Sequence, residues 1–350
     1  QAERGAPLVM GRHNFICTID PPNTADVGRC TLQQYCKHAG KDGEAGCPYY
    51  DQLRAATAAP FLVSNYAFHL SEHGYLESSN ILICDEAHTM RQALSSWASG
   101  GLLLRDAERL GVVVPETTDS IEEWVAAGWR MQRAAEREWA DADLPAAERR
   151  EALRIQRNAA KLALLPPTSD ESVVYYDGEG GFRFGTINTA NAAHRLFARA
   201  QDKVVLLTAT PGGAGWPLFV RLLGIPESDV EIVRLPNLFP VARRPVYYWP
   251  VTKVSGKGGG WPEIAAACEQ LLNHYSDSKG LIHSVSYSFA KYLERRLGSD
   301  RVLAPSAAER QRALVQFRES NRPLVLLSPA LGSGIDLPFD LCRWVVISKL

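Results

Sequence analysis

Charge of either sign in excess is what this 350-residue sequence most plainly lacks: Lys and Arg number 38 against 39 Asp and Glu, a net of −1. A strongly basic total would have argued for nucleic acid as a partner, so any such contact has to be local. No apolar run approaches the ~20 residues that cross a bilayer, and the opening "QAERGAPLVM" has no charged-then-apolar signal-peptide design. The expectation is a soluble, cytoplasmic chain with no membrane partner. Internal repeats and long low-complexity tracts are missing too, which excludes solenoid and linker readings. Also absent is G-x-x-x-x-G-K-[ST], the loop whose backbone cradles phosphates. Its nearest lookalike, "SGKGGGW" at 255–261, follows no strand-to-helix pattern and has no hydroxyl after the lysine, so it reads as a loop.

Apolar residues make up 46%, enough for a buried core, and the length allows two or three domains. Strand-like runs alternate with helical ones, the pattern of an α/β fold with parallel sheets. Expected strands are 81–84, 204–208, 246–249, 280–283, 323–328 and 344–348; expected helices in the second half are 261–275, 286–297 and 306–319. Between 101 and 185 the character changes. An Ala/Glu/Arg-rich stretch, 119–165, is helical by propensity and stops at Pro166-Pro167, and "VVYYDGEGGFRF" then reads as a hairpin turning at 177–181. This block looks like an insertion into a first sheet domain made of 1–100 and 186–239. Prolines and arginines in "LPNLFPVARRP" (235–245) mark the passage to a second domain, 240–350.

The segment "ILICDEAHTM" (81–90) runs four apolar residues into adjacent carboxylates, with a histidine two positions on. In open parallel sheets ligands bind beyond the carboxyl ends of the strands, so Asp85 and Glu86 are expected at a crevice edge while the strand itself is buried. Hydrolysis of a nucleoside triphosphate asks for one carboxylate near Mg²⁺, often through water, and a neighbouring base to orient the attacking water. Asp85 suits the first role, Glu86 the second, and His88 would connect the site to a facing segment; an ordinary polar turn after a strand is the bland alternative. Thr208 and Thr210, at the end of a later strand, read either as coupling hydroxyls or as a plain strand cap. His283 and Ser284 end another strand before a helix whose free N–H groups suit a phosphate, though a helix cap explains the serine almost as well.

Cysteine is unevenly spread. Cys17, Cys30, Cys36 and Cys47 are separated by twelve, five and ten residues in a Gly/Pro/Asn/Asp-rich stretch at about 15–50, whereas Cys84, Cys268 and Cys342 stand singly as small hydrophobes. Four thiolates are the usual ligand set of a [4Fe–4S] cluster. Zinc accepts the same four but favours a close C-x₂₋₄-C pair, and none exists here; disulfides fit poorly with a cytosolic chain. Spacing also sets Arg150, Arg154, Arg157 and Lys161 at helical intervals of four, three and four, a basic stripe that either touches DNA phosphates or is a solvated face.

Taken in order, "DEAH" at 85–88, "LLTATP" at 206–211, "GLIHSVSYSFAKYLERRL" at 280–297 and "LLSPALGSGIDLPFDLCRWVVISKL" at 326–350 resemble motifs II to V of superfamily 2 helicases. The cysteines, preceded by "GRHNFIC" (11–17) and followed by "CPYYDQLRAATAAPFLVSNYAFHL" (47–70), resemble those of the iron–sulfur branch, the XPD/DinG-like DNA helicases. This resemblance implies two RecA-like parallel-sheet domains, the first carrying an Fe–S insertion and a helical arch. It implies ATP as substrate with Mg²⁺ at Asp85, Glu86 as the base, Thr208 and Thr210 relaying the nucleotide state, and a [4Fe–4S] cluster on Cys17, Cys30, Cys36 and Cys47. Gly334, Ile335 and Asp336 match the Gly-[Ile/Val]-Asp core of motif V, which in the family faces nucleotide and DNA. Many relatives carry a glutamate before that glycine, where Ser333 stands here, so the nucleotide contact at this point stays open. The implied activity is 5′ to 3′ movement on single-stranded DNA and unwinding of forked duplex, with His283, Ser284 and the basic stripe as strand contacts.

Motif VI, Q-x-x-G-R-x-x-R, is absent as well. In the family it lies downstream of motif V, and the phosphate loop lies upstream of the cysteines, so the sequence is expected to be the middle of a longer protein. Two rivals remain: a degenerate relative that grips DNA without unwinding it, and an RNA-stimulated DEAH-type ATPase. Without the phosphate loop and arginine fingers the β- and γ-phosphates have no anchor and little charge stabilisation. These 350 residues alone are therefore expected to hydrolyse ATP feebly or not at all; robust DNA-stimulated turnover, abolished by Glu86→Gln, would contradict this.

Overall fold

The computed structural model describes residues 9–28, 36–39, 43–71, 79–139, 143–209, 215–236, 240–243, 245–253, 259–330 and 335–348. There are two compact units, 1–234 and 235–350. The first runs α1 (Pro48–Thr57), α2 (Tyr66–Ser71), β1 (Ser79–Cys84), α3 (Met90–Ala98), β2 (Gly100–Leu103), α4 (Leu104–Arg109), α5 (Ile121–Trp139), α6 (Ala146–Ala163), β3 (Ser172–Tyr176), β4 (Gly181–Thr186), α7 (Ala190–Phe197), β5 (Ala200–Leu206) and α8 (Gly215–Leu222).

β1 and β5 pair in parallel, Leu82 beside Val204 and Cys84 beside Leu206. Period two sends these four to one side, where Met90 and Leu94 of α3 and Ala193 and Leu196 of α7 close over them. Ile81 and Ile83 point the other way and are 54% and 56% exposed. The expectation of a buried strand is thereby corrected. A run that is apolar at every position is the mark of burial on both faces, yet among the described residues helices cover only one face of this two-stranded sheet.

Residues 100–186 form a module with its own core. An antiparallel sheet in the order β2-β4-β3 lies against α5 and α6, burying Trp124, Met131, Ile155, Leu162, Phe182 and Phe184. The module joins two long helices to the expected hairpin, and β2 adds a third strand to it. Gly128 lets the two helices touch: a Cβ there would stand 2.6 Å from the Ala163 nitrogen. At the hairpin turn Asp177 Oδ1 accepts the N–H groups of Glu179 and Gly181, while Gly178 and Gly180 take φ of 78° and 82°.

In the second unit α9 (Trp261–His274), β6 (Gly280–His283), α10 (Tyr287–Leu297), β7 (Val302–Leu303), α11 (Arg310–Glu319), β8 (Val325–Ser328) and β9 (Trp344–Ile347) build a parallel sheet ordered β7-β8-β6-β9. Helices α9 and α10 bury one face of it and α11 the other. β8 is buried at every position, as a central parallel strand should be. Residues 246–249, expected as a strand, lie in no sheet, and Val246 and Tyr247 are 95% and 85% exposed. Strand propensity reports fit to a pleated, half-buried surface, and no described strand offers one there. Arg301 secures this unit by donating to the carbonyls of Leu272, Tyr275 and Pro323 at 2.9, 2.8 and 2.7 Å, two of them at the end of α9 where helical acceptors lack partners.

Among the described residues no helix is long and apolar enough to cross a membrane. Beneath the first sheet, His69 of α2 has no hydrogen-bond partner at Nε2 among the described residues, and burial, followed by the Arg199 charge, pulls its ring down to about 4. Unfolded, the same ring titrates near ~6.5. Between those values the unfolded chain binds a proton that the folded one refuses, so stability falls as pH drops through that window. Urea unfolding from pH 7 to 4 should show the wild type losing stability relative to His69→Phe; parallel pH curves would refute the assignment.

Candidate functional site

The acidic turn is built by main-chain pairing that outlasts the strands. Leu207 N–H donates to Cys84 O at 2.9 Å, and Ala87 N–H donates back to Leu207 O at 2.8 Å. Between them Glu86 takes φ 46° and ψ 44°, a left-handed conformation that costs a non-glycine residue about 1–3 kcal/mol. Three neighbours hold it there. Tyr66 Oη donates to Asp85 O at 2.6 Å, Asp85 Oδ1 accepts the Glu86 N–H at 2.8 Å, and Thr89 Oγ1 donates to Glu86 O at 2.9 Å. Burial first, then the nearby Cys84, Asp85 and Glu86, push the Tyr66 phenol above its ordinary value, so it stays a donor. Burial likewise pushes the Cys84 thiol up to about 11, against the pull of its Tyr66 hydrogen bond, and leaves it inert.

His88 Nδ1 lies 3.0 Å from Thr208 Oγ1 and 3.3 Å from Glu86 Oε2. One nitrogen therefore faces two partners. With a proton on Nδ1 it donates to the carboxylate or the threonine; with the proton on Nε2 it accepts from the threonine hydroxyl and releases the carboxylate. Asp85, Glu86 and His88 are all exposed at the end of β1. Asp85 Oδ2 makes no hydrogen bond among the described residues, which leaves an oxygen for a cation or its water shell. Thr210 lies outside the described residues.

In the second unit, His283 closes β6 and its carbonyl accepts from Ser348 Oγ at 2.8 Å. Ser284 is fully buried, its N–H donating to Ser328 O at 3.3 Å. Ser286 caps the helix, accepting the Phe289 N–H at 3.2 Å at the start of α10, as the helix-cap alternative expects of a serine here. Val285 between them sits at φ 57°, a rare conformation for a β-branched residue. Asp336 is exposed and its carbonyl accepts from Arg318 at 3.0 Å; Gly334 lies outside the described residues.

Around the cysteines the chain doubles back, Cys17 N–H to Asn23 O and Ala25 N–H to Phe15 O, both at 2.8 Å. Cys47 stands at the start of α1, where the helix dipole favours negative charge. Cys17, Cys36 and Cys47 line one small hollow together with Arg12, His38, Tyr49 and Tyr50; Cys30 lies outside the described residues. Yet no three described Cys, His, Asp or Glu side chains are close enough to share one ion.

The basic stripe is only partly free. Arg150 is exposed, but Arg154 pairs with Asp106 at 2.6 Å and Glu151 at 2.8 Å, and Lys161 donates to Ser99 O at 2.9 Å. The hydrogen bond to Glu151, with Asp106 behind it, holds the Arg154 guanidinium charged beyond its usual range. Arg157 is itself exposed, yet partial desolvation by its neighbours, with Arg12 adding and Asp26 opposing, lowers it, and desolvation likewise lowers Lys161. Two residues escaped sequence reasoning. Tyr66 carries no motif of its own; Arg149 does carry a signal, since it falls on the core-facing phase of α6 with Ala152, Ile155 and Ala159.

No family model matches this sequence, and no curated protein does. Among solved structures, one named as an XPD helicase is similar over 97% of this chain and 71% of its own, at 13% identity and a TM-score of 0.46. A second, named as apo XPD, matches 82% of this chain and 65% of its own, at 14% identity and a TM-score of 0.47. If Tyr66 is what holds the turn, Tyr66→Phe should cost about 1 kcal/mol and speed hydrogen exchange at the amides of Glu86 and Ala87; unchanged exchange would show that the remaining bonds suffice.

Proposed function

We propose that this chain is part of an XPD-like, ATP-dependent DNA helicase. The observation that carries the reading is the convergence of Asp85, Glu86, His88 and Thr208 at the carboxyl ends of two parallel strands, where α/β sheets bind their ligands. Asp85 would hold Mg²⁺, directly or through water, with its unengaged oxygen; when bound, the ion offsets phosphate charge. Glu86 orients the attacking water and takes its proton. Because Glu86 is fixed in an uncommon backbone conformation, its carboxylate is aimed before substrate arrives, which is the preorganisation that hydrolysis needs.

His88 gives the site its coupling. When Glu86 gains a proton its attraction for His88 weakens, and the ring is left to Thr208 on the neighbouring strand. A change at the water-activating carboxylate thereby reaches the end of β5, the route by which hydrolysis would move the strand-gripping surfaces.

Cys17, Cys30, Cys36 and Cys47 would hold a [4Fe–4S] cluster, which supplies rigidity to a segment with little regular structure of its own. Near it, Arg12 and Arg157 approach each other with Asp26 as counter-charge, and Lys161 follows on α6. Cations brought together in this way favour a polyanion between them, and single-stranded DNA is the one we propose, followed in the 5′ to 3′ direction with unwinding of forked duplex.

The decisive experiment uses the complete protein with an intact phosphate loop. Glu86→Gln should lower DNA-stimulated ATP hydrolysis by about 10²–10⁴-fold while nucleotide binding persists, and Asp85→Asn should raise the Mg²⁺ requirement. Normal unwinding by the double variant would overturn the proposal.

A further inference from the structure

One buried side chain joins the cysteine segment to the inserted module. Arg149, in the first turn of α6, is 3% exposed. Its Nε donates to Val27 O at 2.8 Å, its Nη1 to Leu144 O at 2.5 Å, and its Nη2 to the Asp20 carboxylate. Asp20 is itself nearly buried, its side chain 12% exposed. Removing the Asp20 carboxylate would leave a buried guanidinium without that counter-charge.

Asp20 and Val27 bracket the stretch that leads from Cys17 toward Cys30. The bonds of Cys17 to Asn23 and of Ala25 to Phe15 make that stretch one folded-back unit, so fastening Asp20 and Val27 fastens the main chain at Cys17. Leu144 belongs to the approach to α6. The guanidinium's planar fork reaches all three acceptors at once, which a lysine's single nitrogen cannot reproduce.

We propose that Arg149 is a positioning residue that couples retention of the metal cluster to the seating of α6. Linkage makes the coupling mutual: whatever orders the Cys17 stretch steadies the seat of α6, and whatever displaces α6 loosens the first cysteine. The coupling rests on the reading of Cys17, Cys30, Cys36 and Cys47 as cluster ligands. A purely structural Arg149 would stabilise α6 through Leu144 and leave the metal indifferent.

The test uses the full chain, reconstituted anaerobically with iron and sulfide. Wild type, Arg149→Met and Arg149→Lys are followed for decay of the visible sulfur-to-iron absorption under chelator, and for hydrogen exchange over residues 15–27 and 144–150. Arg149→Met should lose the band about tenfold faster, with Arg149→Lys rescuing only part of the loss, while near-ultraviolet circular dichroism from Trp124 and Trp139 shows the module still folded. Equal decay in a folded Arg149→Met protein would overturn the coupling. Should the wild type take up no iron, the ligand assignment fails separately, and exchange still decides the tie. Faster exchange at 15–27 in Arg149→Met supports it, and unchanged exchange overturns it.

Discussion

Two hydrogen bonds between β1 and β5 continue their pairing past the last strand residues, and the geometry of the acidic turn depends on them. They hold Cys84 and Ala87 at opposite ends of a tight reversal through Leu207, so the intervening Glu86 must turn left-handed. Tyr66 and Thr89 then secure the carbonyls that the reversal leaves outside the ladder. Since His88 follows at once, its ring is delivered to Thr208, 120 positions away in sequence. A backbone constraint thus sets the side-chain chemistry, and the side chains in turn stabilise an otherwise unfavourable backbone.

Much of this was legible from short patterns. The acidic pair follows an apolar run, which places it at the end of a strand without further knowledge. The Asp-Gly-Glu-Gly-Gly stretch marks a hairpin because glycine takes positive φ freely. Other features depended on partners that no local pattern names. The run at 246–249 has strand composition but no neighbouring strand, and Ile81 and Ile83 have one covered face rather than two. The helical spacing of Arg150, Arg154, Arg157 and Lys161 is real, but Asp106 and Ser99 O, remote in sequence, engage two of the four. Tyr66 illustrates the same limit, because only the folded chain brings its hydroxyl to the carbonyl of Asp85.

Burial separates two kinds of cation in a chain of near-zero net charge. Arg149, Arg154 and Arg301 spend their donors on carbonyls and carboxylates within their own unit and act as fasteners. Arg12 instead lies over the Tyr49 and Tyr50 rings beside the cysteine hollow, and Arg157 is exposed. Bulk charge is blind to this difference.

The strands that begin and end the inserted module, β2 and β4, lie side by side, Gly100 opposite Phe184 and Gly101 opposite Arg183. Entry and exit are therefore a single gateway, and the host sheet experiences a whole folded appendage as though it were a short bridge. Doubling the length of such an excursion adds only about 0.6 kcal/mol of closure entropy. Evolution could thus enlarge, trim or exchange the appendage as a cassette while the pairing that shapes the acidic turn keeps its register.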